Sequence, residues 1–432
     1  MRPVLTPFAL LLALSLTAQT NYSSTADAAA TIEDRVIEWR HHVHQYPELS
    51  NREYETGKYI ADHLESLGLE VHRNVAHTGV VGVLRGGKPG GVVALRADID
   101  ALPVTERAEI PYASKAKGEY RGEEVGVMHA CGHDTHVAML MGAAEVLTRQ
   151  KADIPGTIVF LFQPAEEGAP EGEEGGAELM VKEGVLKDYG VEAAFGIHIN
   201  SQTPIGHVNY KPGGAMAASN SFTITVKGKQ AHGSAPWSGV DPITAAAQIV
   251  TGLQMIVARQ TELTKEPAII SVGKIQGGVR NNIIPEEVTM IGTIRTLDED
   301  MKAEIFDRIR QTATNIAASS GAEAEVVIND GYPVTYNDPA MTDRMLPTLE
   351  ATMGAENVHL VRPITGAEDF SFFAREVPSL FVFLGGMDPS MDPADAPGHH
   401  TPDFVVDDRG LKYGVQLYTN LALDYLHKEH GK

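Results

Sequence analysis

Short apolar, β-rich runs recur along the first half of the chain, and amphipathic segments separate them. Residues 80–84, 92–95, 157–162 and 193–197 are continuous apolar runs of strand length, the pattern of strands buried on both faces. Residues 53–67 and 136–147 repeat apolar positions at helical spacing, with Asp134 or Thr135 placed to cap the second helix. Alternating strands and helices predict an α/β fold, a mixed, largely parallel sheet covered by helices. A last strand at 380–384 and a closing helix at 410–427 continue the pattern far along the chain.

The segment between them differs. Residues 221–226 alternate Phe222, Ile224 and Val226 with Ser and Thr, giving a strand with one wet face. A helix at 242–259, strands at 268–275 and 288–296, a helix at 300–319 and a strand at 324–330 follow. The order β-α-β-β-α-β predicts a split, ferredoxin-like α+β sandwich. The expected organisation is one catalytic domain, residues 31–213 and 331–432, interrupted by an inserted lid domain, residues 214–330.

Residues 1–30 read as a signal peptide. Arg2 precedes an apolar run, residues 8–16, that is too short to span a bilayer, and small residues at Ala28 and Ala30 suit a signal peptidase. The expected location is therefore exported, periplasmic or secreted. The remaining chain of about 400 residues is long enough for two or three domains. A formal net charge of −22 without a basic stripe argues against nucleic acid, and against a membrane partner after processing.

Cysteine usage sharpens the picture. Cys131 is the single cysteine and cannot form an internal disulfide. It lies in His129-Ala130-Cys131-Gly132-His133-Asp134-Thr135-His136, a density of thiol and imidazole that reads as a metal site. Other metal-capable groups follow expected strands: Asp98 and Asp100 after 92–96, Glu166 and Glu167 after 157–162, His198 after 193–197, and His399-His400 beyond the last strand. Singly, a strand-end Asp is more often a cap and a paired Glu a solvated surface. Gathered beyond the carboxyl ends of one sheet, where α/β folds collect ligands, they predict a site. Thiolate, imidazole and carboxylate together suit Zn²⁺ first, with Mn²⁺, Co²⁺ or Ni²⁺ also compatible.

Four segments carry a resemblance: residues 96–103 (Arg-Ala-Asp-Ile-Asp-Ala-Leu-Pro), 128–134 (Met-His-Ala-Cys-Gly-His-Asp), 162–168 (Phe-Gln-Pro-Ala-Glu-Glu-Gly) and 365–371 (Thr-Gly-Ala-Glu-Asp-Phe-Ser). They resemble the M20 metallopeptidase family, in its aminoacylase, hippurate hydrolase and auxin-conjugate amidohydrolase branch, in order along essentially the whole chain. The resemblance implies two divalent metal ions, with Cys131, His133, Glu167, His198 and His400 as ligands. It implies Glu166 as general base and Asp98 as a carboxylate behind the ligands, with Arg96 standing where other branches have a ligand histidine. His399 beside His400 makes the last ligand the least secure of the five. In the lid, His232 resembles the histidine that reaches the scissile carbonyl, and Asn282 and Arg295 resemble substrate contacts.

The implied reaction is hydrolysis of an N-acyl or aroyl amino acid by a metal-activated water. Glu166 would move the proton, His232 would donate to the oxyanion and Arg295 would hold the substrate carboxylate. The alternatives are a dipeptidase or carboxypeptidase of the same family, and a non-catalytic metal- or peptide-binding protein. The resemblance also implies a homodimer through the lid.

Overall fold

The computed structural model describes residues 20–430. Helices α1 (Tyr22–Thr31), α2 (Glu33–Gln45) and α3 (Tyr54–Ser66) lead into strands β1 (Glu70–Val75), β2 (Gly79–Arg85) and β3 (Lys88–Asp98). A small hairpin, β4 (Lys117–Tyr120) and β5 (Glu123–Gly126), precedes α4 (His133–Arg149) and β6 (Pro155–Gln163). Then come α5 (Gly176–Lys182), β7 (Ala193–Pro204), β8 (Val208–Tyr210) and β9 (Gly213–Met216).

The chain next leaves for the insert. Strand β10 (Ala218–Lys227), a two-residue β11 (Ala231–His232), α6 (Pro242–Met255), β12 (Ala268–Gly277), β13 (Ile283–Ile284), β14 (Glu287–Thr296), α7 (Glu299–Ser319) and β15 (Glu323–Tyr332) build it. It returns through β16 (Thr335–Asn337), α8 (Pro339–Met353), β17 (Val358–Leu360), α9 (Ser371–Glu376), β18 (Ser379–Met387) and α10 (Leu411–His430).

The large sheet has the order β1-β2-β6-β3-β7-β18-β8-β17. Its centre is parallel, β6 with β3, β3 with β7 and β7 with β18, and antiparallel pairs flank it. One face packs on α4, α8 and α10 and the other on α5 and α9, so the central strands are buried on both sides. Their unbroken apolar runs follow from that double burial. The α/β fold is as expected.

The insert is a four-stranded sheet, β12-β14-β10-β15, antiparallel throughout. Phe222, Ile224 and Val226 point to α6 and α7 and form a core separate from the main one. The chain crosses between the two units beside a short ribbon, β9 with β16.

Two elements depart from expectation. Helix α4 starts at His133, and its N-cap is Gly132, not Asp134 or Thr135. Gly132 has φ +98°, and a Cβ there would stand 2.3 Å from Ile199, so glycine meets both conditions. Asp134 is instead drawn into a buried ion pair with Arg40 at 2.8 Å. Residues 1–19 of the expected leader lie outside the described residues. Its last part forms α1, which Asn21 caps and whose Ala29 is fully buried. The Tyr22 hydroxyl also donates to Asp424 on α10. A cut after Ala30 would remove these contacts.

Candidate metal centre

Three strand ends and two loops converge at one edge of the large sheet. Strand β3 delivers Asp98 and Asp100, β6 leads to Glu166 and Glu167, and the turn before α4 supplies Cys131 and His133. His198 sits on β7 just beyond the last β3–β7 partners, Arg96 and Gly196. His400 enters from the loop after β18, at φ +62°.

These side chains form overlapping donor groups. Two share Cys131, one with His133 and His198 and one with Glu167 and His400, and His133 also groups with Glu166 and Glu167 and with Asp98 and His136. The Cys131 Sγ lies 3.4 Å from His198 Nε2 and 3.3 Å from His400 Nε2. His400 Nε2 is 3.1 Å from a Glu167 carboxylate oxygen. His133 Nε2, 3.8 Å from Glu166 and 3.9 Å from Glu167, is buried with no hydrogen-bond partner among the described residues.

A buried, unpartnered imidazole nitrogen amid thiol and carboxylates is costly unless a cation completes it. Burial, then the carboxylates of Glu167 and Glu166, hold the Cys131 thiol well above its ordinary value. Burial and then Glu368 and Glu167 do the same to Glu166. So much negative charge cannot ionise together without positive charge between the donors. The set therefore fits divalent cations, which Cys131, His133, Glu167, His198 and His400 would hold.

Supporting groups orient the donors. His133 Nδ1 faces the Asp100 backbone carbonyl at 2.9 Å and its carboxylate at 3.1 Å, which leaves Nε2 for a metal. Asp98 divides its two oxygens between His136 Nδ1 at 2.6 Å and Arg96 at 2.7 Å. It thus backs the donors His133 and His136. Burial opposes its charge, but Arg96, His133 and His136 outweigh that and keep it well below the usual carboxylate range. His136 is fully engaged, since its Nε2 accepts the Ile199 N–H at 2.8 Å. His399 is engaged too, with Nδ1 3.0 Å from the Cys131 carbonyl and Nε2 accepting the Ser201 N–H at 3.2 Å. His400 instead turns its Nε2 toward Cys131 and Glu167.

The Glu166-Glu167 turn is pinned residue by residue. Ala165, at φ +51°, donates its N–H to Glu53 at 2.9 Å. The Glu167 N–H donates to Asp100 at 3.1 Å, and the Glu166 carbonyl accepts the Tyr332 hydroxyl at 2.8 Å. The Glu166 side chain faces Glu368 and Asp369, which Arg96 holds at 2.8 and 2.9 Å. Glu53, Tyr332, Glu368 and Asp369 were assigned no role from the sequence. For the last pair the segment 365–371 was signal enough.

The lid candidates stand apart from this cluster. His232 is exposed on β11, its Nδ1 accepting from the Ser234 N–H at 3.1 Å. Strand β13 pairs with β11, and the Gly233 N–H donates to the Asn282 carbonyl at 2.8 Å, so His232 and Asn282 share one ribbon. The Asn282 side-chain oxygen is buried and has no hydrogen-bond partner among the described residues. Arg295 on β14 is half-buried, burial lowers its pKa, and it has no ion pair among the described residues.

Comparison with known proteins agrees with this arrangement. Residues 94–424 match the model of peptidase family M20/M25/M40. The chain belongs to this family. It is 42% identical over 399 residues to thermostable carboxypeptidase 2 of Saccharolobus solfataricus, covering 92% of this chain and 97% of that one. It is 37% identical over 382 residues to the N-acetyl-L-cysteine deacetylase of Bacillus subtilis, covering 88% and 86%. Among solved structures, a dinuclear metal-binding M20 peptidase from Bacillus subtilis superposes with a TM-score of 0.78 at 34% identity, over 92% of this chain and 99% of that one. The M20 chain described here is a metallo-amidohydrolase, and its clustered donors suit divalent metal.

Proposed function

We propose that the protein hydrolyses N-acyl or aroyl amino acids to a carboxylic acid and a free amino acid. The observation that carries this reading is the pair of donor groups joined at Cys131, with the buried Glu166 carboxyl beside them. Bound metals would polarise the amide carbonyl and acidify a water. Glu166 takes a proton from that water and returns it to the leaving nitrogen. Its backbone, held by Tyr332 and flanked by the Glu53 and Asp100 contacts, keeps the carboxylate aimed. The lid brings His232 to the oxyanion, while Arg295 and the Asn282 amide receive the substrate carboxylate. The acylase reading draws on the deacetylase relative. A carboxypeptidase reading draws on the carboxypeptidase relative, and the same machinery would serve it.

A hydrolysis panel of N-acetyl, N-benzoyl and dipeptide substrates, with and without chelator, separates the two. Glu166→Gln should keep its metals and lose roughly 10²–10⁴-fold in kcat, whereas Glu167→Ala should lower metal content. A metal-depleted Glu166→Gln enzyme beside a metal-replete Glu167→Ala enzyme would exchange their roles. Turnover of dipeptides alone would replace the acylase reading with the peptidase one.

Export and dimerisation belong to the same proposal. The packing of α1 supports a leader that ends before Asn21, so sequencing of the mature protein should begin at residues 19–21. An intact Met1, or a start at Thr31, would refute that boundary. Strand β12 is an edge of the lid sheet and exposes Ile269 and Ile275, a surface suited to a second copy.

A further inference from the structure

A cavity of about 760 Å³ opens beside Glu167. Leu49, Leu102, Pro103, Ala169 and Pro170 supply much of its lining, and the tip of the β4–β5 hairpin forms one wall through Tyr120 and Arg121. The hairpin turns on Arg121 and Gly122, both at positive φ (+53° and +82°), as a two-residue turn of primed type requires. Its base is packed tightly, because a Cβ on Gly118 would stand 3.1 Å from both Leu49 and Val127. The Tyr120 ring lies 5.2 Å from the Arg121 guanidinium carbon.

Resting on the acylase reading above, we infer that this cavity receives the acyl end of the substrate and selects a bulky, uncharged acyl group, with Tyr120 as a specificity-determining residue. Three observations converge. The cavity shares Glu167 with the donor cluster, so a substrate whose amide lies at the metals extends into it. None of its lining comes from the lid, where Arg295, half-buried and without an ion pair among the described residues, is placed to meet the substrate carboxylate. The end that enters the cavity is therefore the one without the carboxylate.

Charge agrees with that orientation. Arg52 is already tied to Glu173 by contacts of 2.6 and 3.0 Å. Besides the ligand Glu167, this leaves Glu119 and Glu171 against Arg121 alone, a wall that disfavours an anionic group. The volume lies within the 300–1,000 Å³ typical of pockets that bury a whole small molecule. An acetyl group would leave most of it to water. A benzoyl or larger group would cover the apolar floor and meet the Tyr120 ring.

The test uses the full metal-loaded enzyme and three derivatives of one amino acid, N-acetyl, N-benzoyl and N-succinyl. Wild type should favour benzoyl over both others by at least about tenfold in kcat/KM. Tyr120→Ala should shrink the benzoyl-to-acetyl ratio by raising KM for benzoyl, and Ala169→Phe should do so by filling the cavity. Metal content and acetyl hydrolysis in each preparation show that the variant has folded. Acetyl hydrolysis with an unaltered ratio in both variants would overturn the pocket assignment and leave the acylase reading standing. No turnover of any N-acyl substrate would overturn the acylase reading, and the pocket assignment with it.

Discussion

The Tyr332 hydroxyl donates to the backbone carbonyl of Glu166 at 2.8 Å, joining the last residue of the lid sheet to the candidate general base. Tyr332 also packs edge-to-face on Phe372, with ring centroids 6.0 Å apart. The place where the chain leaves the lid therefore touches the turn that carries the Glu166 carboxyl. Tyr332→Phe keeps the ring and removes the hydrogen bond, worth about 0.5–1.5 kcal/mol. The expected result is a fall in kcat of up to about tenfold with metal content unchanged. An unaltered kcat would show that the lid contact does not position Glu166.

Much of this arrangement was legible in the sequence, for identifiable reasons. Residues buried on both sheet faces give unbroken apolar runs, and the donors follow those runs directly, as Glu166 follows Phe162 and His198 follows Ile197. Glu53 and Tyr332 were not legible, because they act through backbone atoms 112 and 166 residues away in the chain. Nothing local marks such a contact. The choice between His399 and His400 needed coordinates, since it depends on which ring finds the Cys131 carbonyl and the Ser201 N–H. The start of α4 was misplaced because Asp134 has the chemistry of a cap, yet its carboxylate serves Arg40 and His44.

Cys131 should behave as an occupied ligand. Cys131 is 7% exposed, and three imidazoles and a carboxylate lie around its thiol. In the metal-loaded enzyme it should resist thiol reagents, and chelator should expose it together with loss of activity. Rapid labelling of the loaded enzyme with full retention of activity would remove Cys131 from the ligand set.

His63 gives the stability a defined acid limb. Burial lowers its pKa to about 4, although its Nε2 faces the Met141 carbonyl at 3.3 Å. In the unfolded chain the ordinary value is 6.5, so between pH 6.5 and 4 the unfolded state binds more protons than the folded one. The contribution is fully present above 6.5 and is lost as pH falls to 4, at up to about 1.4 kcal/mol per pH unit. His63→Phe preserves an edge contact with Trp39, now at a centroid distance of 4.5 Å. Its Tm should fall less steeply than that of wild type over this interval. Parallel Tm curves would show that His63 does not set the acid limb.

His232 decides how the lid takes part. It is exposed on the β11–β13 ribbon beside Asn282, and no hydrogen bond among the described residues joins it to the metal donors. To act at the metal donors it would have to arrive by lid closure or from a second copy of the chain. As oxyanion donor its removal in His232→Ala should lower kcat by roughly 10²–10³-fold without changing metal content. Delivery across a dimer makes a further prediction. Mixing His232→Ala with Glu166→Gln should restore partial activity, because each mixed dimer then holds one site with both groups intact. Delivery within one chain gives no restoration, since one variant lacks the donor and the other the base in every site. A His232→Ala enzyme with wild-type kcat would exclude both routes and leave oxyanion stabilisation to the metals and the catalytic domain.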